Sequence, residues 1–298
     1  MTAPLSVASR RVPARLPALQ RLAVAALVAL LTLAMAAGWL LWDNRRLDVS
    51  HYEVGLAQLP AAADGLRIAQ VSDLHAASFG TFPQRLLAGV EAAQPDLIAI
   101  TGDLVDRRTA DLTLVLTVAG DLQEIAPTYF VLGNHEADSE RRDELIAGLE
   151  DRGVVVLRDA AVTVELAGTE LSVIGLDDPR VRGTQGRPPR PPGPVLAGLE
   201  SPAGTPRILL AHRPELLEEY AASGVDLVLS GHAHGGQVRL PLLGGLYAPH
   251  EGWLPELSEG VHTRGGTTMV ISRGLGNSTA GVRVNNPREL VVVELRAR

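Results

Sequence analysis

The chain has 298 residues, 46% of them hydrophobic and 20% charged, a globular composition that excludes a disordered protein. Its net charge of −7, with no long basic run after residue 50, excludes a general nucleic-acid-binding surface, because phosphate backbones need clustered cations. It has no cysteine, which excludes disulfides, thiolate catalysis and cysteine-held metals, so any ion must be held by oxygen and imidazole nitrogen.

Taken from the N-terminus, residues 22–42 read LAVAALVALLTLAMAAGWLLW and carry no charge. About 20 such residues cross a hydrocarbon core of ~30 Å. Arg10, Arg11, Arg15 and Arg21 precede the segment; Asp43, Arg45, Arg46 and Asp48 follow it. The positive-inside rule then keeps residues 1–21 in the cytoplasm and exports the remainder, and Trp39 and Trp42 suit an interfacial aromatic belt. An uncleaved membrane anchor is the preferred reading. The competing one is an export signal cut near Ala34-Met35-Ala36, with Arg10-Arg11 a faint twin-arginine feature.

A single domain is expected over residues 49–298. Short apolar runs at 66–71, 97–100, 129–132, 171–176, 208–210, 227–229, 269–271 and 290–295 read as buried strands. Helical patterns fall at 84–94, 110–125, 139–152 and 214–223, with Pro214 a start signal and Gly153 and Gly224 stop signals. Strands alternating with helices predict an α/β fold. Residues 178–206 are rich in Pro, Gly and Arg and read as a long surface loop or partly ordered insertion, with a substrate-facing lid as the alternative.

Polar residues recur where those strands end. Asp73 and His75 follow IAQVS, Asp103 and Asp106 follow LIAIT, and Asn134 and His135 follow YFVL. His212 follows ILLA, and His232 and His234 follow LVLS. Asp, Asn and His are ordinary turn residues one at a time. Their repetition at consecutive strand ends is not ordinary, and ligands of open α/β sheets bind at the carboxyl ends of strands. Carboxylate, amide and imidazole donors without thiolate suit Mn, Fe or Zn. One carboxylate can bridge two ions about 3.5–4 Å apart, a clamp for in-line displacement at phosphorus. Two divalent ions, two aspartates and one hydroxide leave about one net positive charge, which attracts a phosphate anion.

The series DLH, GDLVD, GNHE, AH and GHAHGGQ resembles the calcineurin-like metallophosphoesterase family over residues 68–237. The closing ISRGLGNS and VRVNNPREL segments resemble its bacterial membrane-associated phosphodiesterase branch. Ala233 departs from the threonine common between the two histidines there, at a position that does not ligate. The resemblance implies a two-sheet sandwich flanked by helices, which the transmembrane helix read from residues 22–42 would precede. It implies Asp73, His75 and His234 on one metal, Asn134, His212 and His232 on a second, and Asp103 bridging. It implies a bridging hydroxide as nucleophile, with His135 orienting the phosphate or protonating the leaving group and Asp106 behind His135. The function expected is metal-dependent hydrolysis of a phosphodiester, amphiphilic or envelope-derived substrates included. The alternatives are a phosphomonoesterase and a non-catalytic, membrane-tethered scaffold. Arg273 and Arg283 are candidate contacts to phosphate or an anionic head group. His51, His250 and His262 lack such motifs and are read as having no metal role, and residues 240–257 as a connecting loop or a substrate entrance.

Overall fold

The chain divides into two compact units, Met1–Trp42 and Asp43–Arg298. The computed structural model describes residues 17–77, 80–183, 191–277 and 281–298. The first unit contains helix α1 (Ala18–Asp43), which ends one residue into the second. Its 26 residues rise about 39 Å, and it is long and apolar enough to cross a membrane. Arg10, Arg11 and Arg15 lie outside the described residues.

The second unit is built on two six-stranded sheets. The first contains β1 (Leu47–Leu56), β2 (Arg67–Val71), β3 (Leu97–Ile100), β4 (Thr128–Phe130) and β5 (Val155–Val156), joined by the closing strand β16 (Arg288–Ala297). Their order is β1-β16-β2-β3-β4-β5, parallel from β2 to β5. The second contains β6 (Ala160–Leu166), β7 (Thr169–Leu176), β8 (Arg207–Ala211), β9 (Leu227–Ser230), β14 (Gly260–Arg264) and β15 (Thr267–Ile271). Its order is β14-β15-β9-β8-β7-β6, parallel across the four central strands.

The two-residue period of a strand explains the layering. In β3, Leu97 and Ala99 join the core between the sheets, while Ile98 and Ile100 join the outer core. In β8, Ile208 and Leu210 face inward, while Leu209 and Ala211 face outward. A strand buried on both faces needs an unbroken apolar run, which is the pattern the sequence shows. Helices α2 (Phe82–Ala93), α3 (Thr113–Ile125) and α5 (Arg142–Glu150) cover the first sheet through Leu86, Val90, Val115, Leu122, Leu145 and Leu149. Helices α7 (Pro192–Ala197) and α8 (Leu217–Ala222) cover the second through Val195, Leu196, Leu217 and Tyr220. The result is the expected helix-flanked two-sheet sandwich.

Three differences have local causes. Helix α3 starts at Thr113 rather than residue 110: the Asp111 carboxylate accepts the Thr113 N–H, an Asx turn that competes with helix at the preceding residues. Residues 178–206 are not one loop: α6 (Pro179–Gly183) and α7 form within them, the latter with proline in its first turn. Residues 184–190, which hold the first half of GRPPRPPGP, lie outside the described residues. Residues 240–257 fold as two small hairpins, β10 (Arg239–Leu240) with β11 (Gly244–Gly245), then β12 (Tyr247–Ala248) with β13 (Gly252–Trp253).

Candidate metal centre

The loops after β2, β3 and β9 run through left-handed backbone at Asp73 (φ 51°), His75 (49°), Asp103 (53°), His232 (69°) and His234 (49°). A non-glycine residue there costs of order 1–3 kcal/mol, a cost that persists where surrounding contacts impose it. Backbone hydrogen bonds impose it here. Asp73 N donates to Gly102 O at 3.0 Å, His75 N to Asp103 O at 3.0 Å and Ala76 N to Leu104 O at 2.8 Å. A fully buried carboxylate, Glu136 of the short helix α4 (Asn134–Ala137), accepts the N–H groups of Asp103, Val105 and Gly133 at 2.8–3.1 Å. Burial, then the Asp103 charge, pushes its pKa up to about 7, against the pull of those N–H donors. Two glycines permit the closest approaches. A Cβ on Gly133 would lie 2.2 Å from Asp103 Oδ1, and one on Gly231 would lie 2.3 Å from Asp73 Oδ2.

These loops bring two triplets of donors together. In the first, His75 Nε2 lies 3.2 Å from His234 Nε2, which lies 3.3 Å from Asp73 Oδ1. In the second, His212 Nε2 lies 3.2 Å from both Asp103 Oδ2 and His232 Nδ1. All six side chains are buried. Ligands at ~2.1 Å from one ion sit roughly 3.0–3.4 Å apart, so each triplet has the spacing of a metal's ligand set. Asp103 Oδ2 is also 3.8 Å from His75 Nε2, so one oxygen faces both triplets.

Hydrogen bonds on the far side of the rings set their tautomers. His212 Nδ1 donates to Thr101 O at 2.8 Å, and His75 Nδ1 donates to Asp106 Oδ1 at 2.8 Å, which leaves both Nε2 lone pairs facing the cluster. Asp106 was expected behind His135; its carboxylate sits closer to His75. His135 Nδ1 lies 3.2 Å from the same oxygen, off the line of a hydrogen bond. Partial burial would raise Asp106, but the two imidazoles beside it hold it well below the usual carboxylate range. Burial would lower His212, but the Asp103 charge raises it to about 10. Burial, then a neighbouring histidine charge, holds His232 and His234 well below their ordinary value. Neutral imidazole is the ligating form, and a cation would take the place of the proton on His212.

Asn134 adds a second sign of fit. Its Oδ1 is buried and has no hydrogen-bond partner, a cost that a bound cation would remove. Asp103 Oδ1 accepts the His135 N–H at 2.9 Å, which fixes the backbone beside Asn134. The His135 side chain is 14% exposed, and its Nε2 lies 4.0 Å from Asp103 Oδ2. The residues therefore fit divalent cations in donor type, spacing and unpaired polarity.

Two arginines and His250 take settings that the sequence did not show. Arg283 is wholly buried, donates to Gly276 O and Arg273 O, and places Nη2 3.3 Å from His234 Nδ1. It supports the His234 loop. Arg273 is mostly buried and paired with Glu289 at 3.1 Å and Glu259 at 3.6 Å. His250, read as having no metal role, stacks on His232 with ring centroids 5.2 Å apart. Glu215 shares that corner: one oxygen accepts from Arg213 Nη1 at 3.0 Å, while Oε2 is buried without a partner, as is His232 Nε2. Potential ligand atoms of Glu215, His232 and His250 all lie within 4.8 Å of one another. Arg213 is in turn held by Asp178 at 2.6 Å. Glu136 and Glu215 were missed because a glutamate's role is set by loops distant in sequence; the GNHE motif was the one available signal for Glu136.

A sequence model of the calcineurin-like phosphoesterases matches residues 66–236. The chain is similar to phosphodiesterase YaeI of Escherichia coli (strain K12), 31% identical over 238 residues that cover 77% of this chain and 82% of the relative. It is similar to metallophosphoesterase YkuE of Bacillus subtilis (strain 168), 27% identical over 265 residues that cover 86% and 87%. Among solved structures, the Thermus thermophilus sulfate thiohydrolase SoxB superposes with a TM-score of 0.47 at 16% identity, over 80% of this chain and 57% of that one.

Proposed function

The chain belongs to the calcineurin-like phosphoesterase family, and we propose that it hydrolyses phosphodiesters at a centre holding two divalent ions. The observation that carries this reading is the pair of donor triplets with Asp103 Oδ2 facing both. Asp73, His75 and His234 would hold one ion, Asn134, His212 and His232 the other, and Asp103 would bridge them. The donor set suits Mn, Fe or Zn. Such ions, when bound, act as Lewis acids on phosphoryl oxygens and lower the pKa of water from ~15.7 towards ~7. His135, partly exposed and with Nε2 4.0 Å from Asp103 Oδ2, would donate a proton to the departing alkoxide. Asp106, hydrogen-bonded to His75 and 3.2 Å from His135 Nδ1, would hold the His75 ring in orientation and put a negative charge beside His135. Diester preference is supported by the name of the phosphodiesterase relative.

Turnover of bis(p-nitrophenyl) phosphate against p-nitrophenyl phosphate by the metal-loaded full chain tests the reading. Faster cleavage of the diester is expected; faster cleavage of the monoester would favour a phosphomonoesterase. Absence of turnover with metals bound would favour a scaffold. Helix α1 supports a membrane anchor, and the sequence preference for arginines before it supports an extracytoplasmic catalytic unit. A topology reporter fused to the C-terminus and active only in the cytoplasm would refute that side if it lit up.

A further inference from the structure

We propose that residues 239–254 form a membrane-contact arm that presents an amphiphilic phosphoester to the metal centre. Among the described residues of the second unit, exposed large apolar side chains concentrate in this arm. Leu242 is fully exposed at the tip of the first hairpin, followed by Leu243. Trp253 is 72% exposed on the second hairpin, with Leu254 beside it and Tyr247 in edge contact at 5.6 Å. Elsewhere in the unit such side chains are scattered, as Val49, Val155 and Val261 are. Soluble proteins leave single apolar residues exposed without consequence, whereas a cluster at one place marks a contact surface.

The base of the arm is packed on the loop of His232 and His234. Leu246 N donates to Val238 O at 2.8 Å, and a Cβ on Gly236 would lie 2.4 Å from Gly245 Cα. His250, between the strands of the second hairpin, stacks on His232. An acyl chain held by the arm would therefore have its head group beside the donor triplets.

A bilayer is the occupant favoured by three observations. The arm adjoins the point where the apolar segment joins the domain: Asn44, just after α1, makes paired hydrogen bonds with the backbone of Arg283 at 2.7 and 2.8 Å. The neighbouring Val282 is exposed, and its carbonyl accepts from Gln237 Nε2 at 3.0 Å, one residue before the Val238–Val284 pairing that leads into β10. Thus the arm lies on the same strip of the second unit's surface as Asn44, where that unit begins. Exposed leucines on one hairpin with Trp and Tyr on the next also match the composition of a membrane interface. Finally, Glu251 is turned back onto the N–H groups of Glu256 and Leu257, so the second hairpin does not aim that charge outward.

The membrane contact rests on α1 as an anchor, and its substrate role rests on the proposed hydrolysis; the test separates them. The full chain carries three tryptophans. Trp39→Phe with Trp42→Phe leaves Trp253 as the single reporter after reconstitution in phosphatidylcholine–phosphatidylglycerol vesicles. Lipids with a doxyl label near the head of the acyl chain should quench Trp253, more than aqueous acrylamide does. Quenching by acrylamide alone would overturn the proposal. Protection from both quenchers, with the chain cross-linking to itself, would make the arm a protein interface and also overturn it. Failure of the chain to float with vesicles would overturn both anchor and contact. For the substrate role, Leu242→Asp with Leu243→Asp should lower cleavage of vesicle-borne hexadecyl p-nitrophenyl phosphate about tenfold and leave bis(p-nitrophenyl) phosphate cleavage unchanged. Equal loss on both substrates, or no loss on either, would overturn that role. Quenching of Trp253 in a chain that cleaves neither substrate would sink the hydrolase reading while the membrane contact stands.

Discussion

Glu136→Ala should unfold the centre before it touches the chemistry. The wild-type carboxylate is fully buried and receives three backbone N–H groups, from Asp103, Val105 and Gly133. Alanine leaves all three without an acceptor. A buried, orphaned donor costs about 1–3 kcal/mol, so the loss spans roughly 3–9 kcal/mol. Two effects favour the lower end: water can enter the gap, and the repulsion between Glu136 and Asp103 disappears. About 3 kcal/mol in a domain of this size lowers Tm by roughly 6–12 °C. Glu136→Gln should cost less, because its one oxygen can replace the carboxylate oxygen shared by Asp103 and Gly133, while its NH₂ faces the Val105 N–H. Thermal unfolding of the detergent-solubilised full chain, paired with metal analysis of the same samples, reads both quantities. An alanine variant melting within about 2 °C of wild type with its metals retained would refute the role given to this carboxylate.

His135→Ala should keep its metals and lose roughly 10²–10⁴-fold in turnover; undiminished turnover with metals bound would rule out the proton-donor role. Glu215→Ala should weaken metal binding by about 10–100-fold, because it removes a carboxylate within 4.8 Å of a His232 ring nitrogen, and Glu215→Gln should recover part of that loss. Metal-binding titrations that leave both variants at wild-type affinity would dismiss Glu215 as a support. Gly231→Ala should destabilise the fold and release metal, since its methyl would lie 2.3 Å from Asp73 Oδ2; a stable, loaded variant would show that the loop can yield. Dialysis against a chelator should abolish turnover, and Mn, Fe or Zn should restore it.

Much of the centre was legible because its residues sit directly after strands that are buried on both faces. Leu97–Ile100 is apolar throughout and is followed at once by the loop of Asp103, so the strand and its site residue are read from one segment. The edge strands were harder. β6 and β14 are half-exposed and lack a continuous apolar run, and β1 is specified by a parallel partner at the other end of the chain, with Leu47 opposite Arg288. Glu215, His250 and Arg283 could not be read for the same reason: His232 meets the first two, and His234 the third, through loops that have no common sequence signal. Arg283 shows the risk in the opposite direction. A polar residue among Gly and Asn looks like a surface contact, yet its guanidinium is enclosed by carbonyls.

The central claim is that one oxygen of Asp103 lies between two ions. Anomalous diffraction from crystals grown with Mn tests it directly. The account predicts two peaks about 3.5–4 Å apart, one against Asp73, His75 and His234 and the other against Asn134, His212 and His232, with Asp103 between them. A single peak, or two peaks with Asp103 turned away from either, would contradict it.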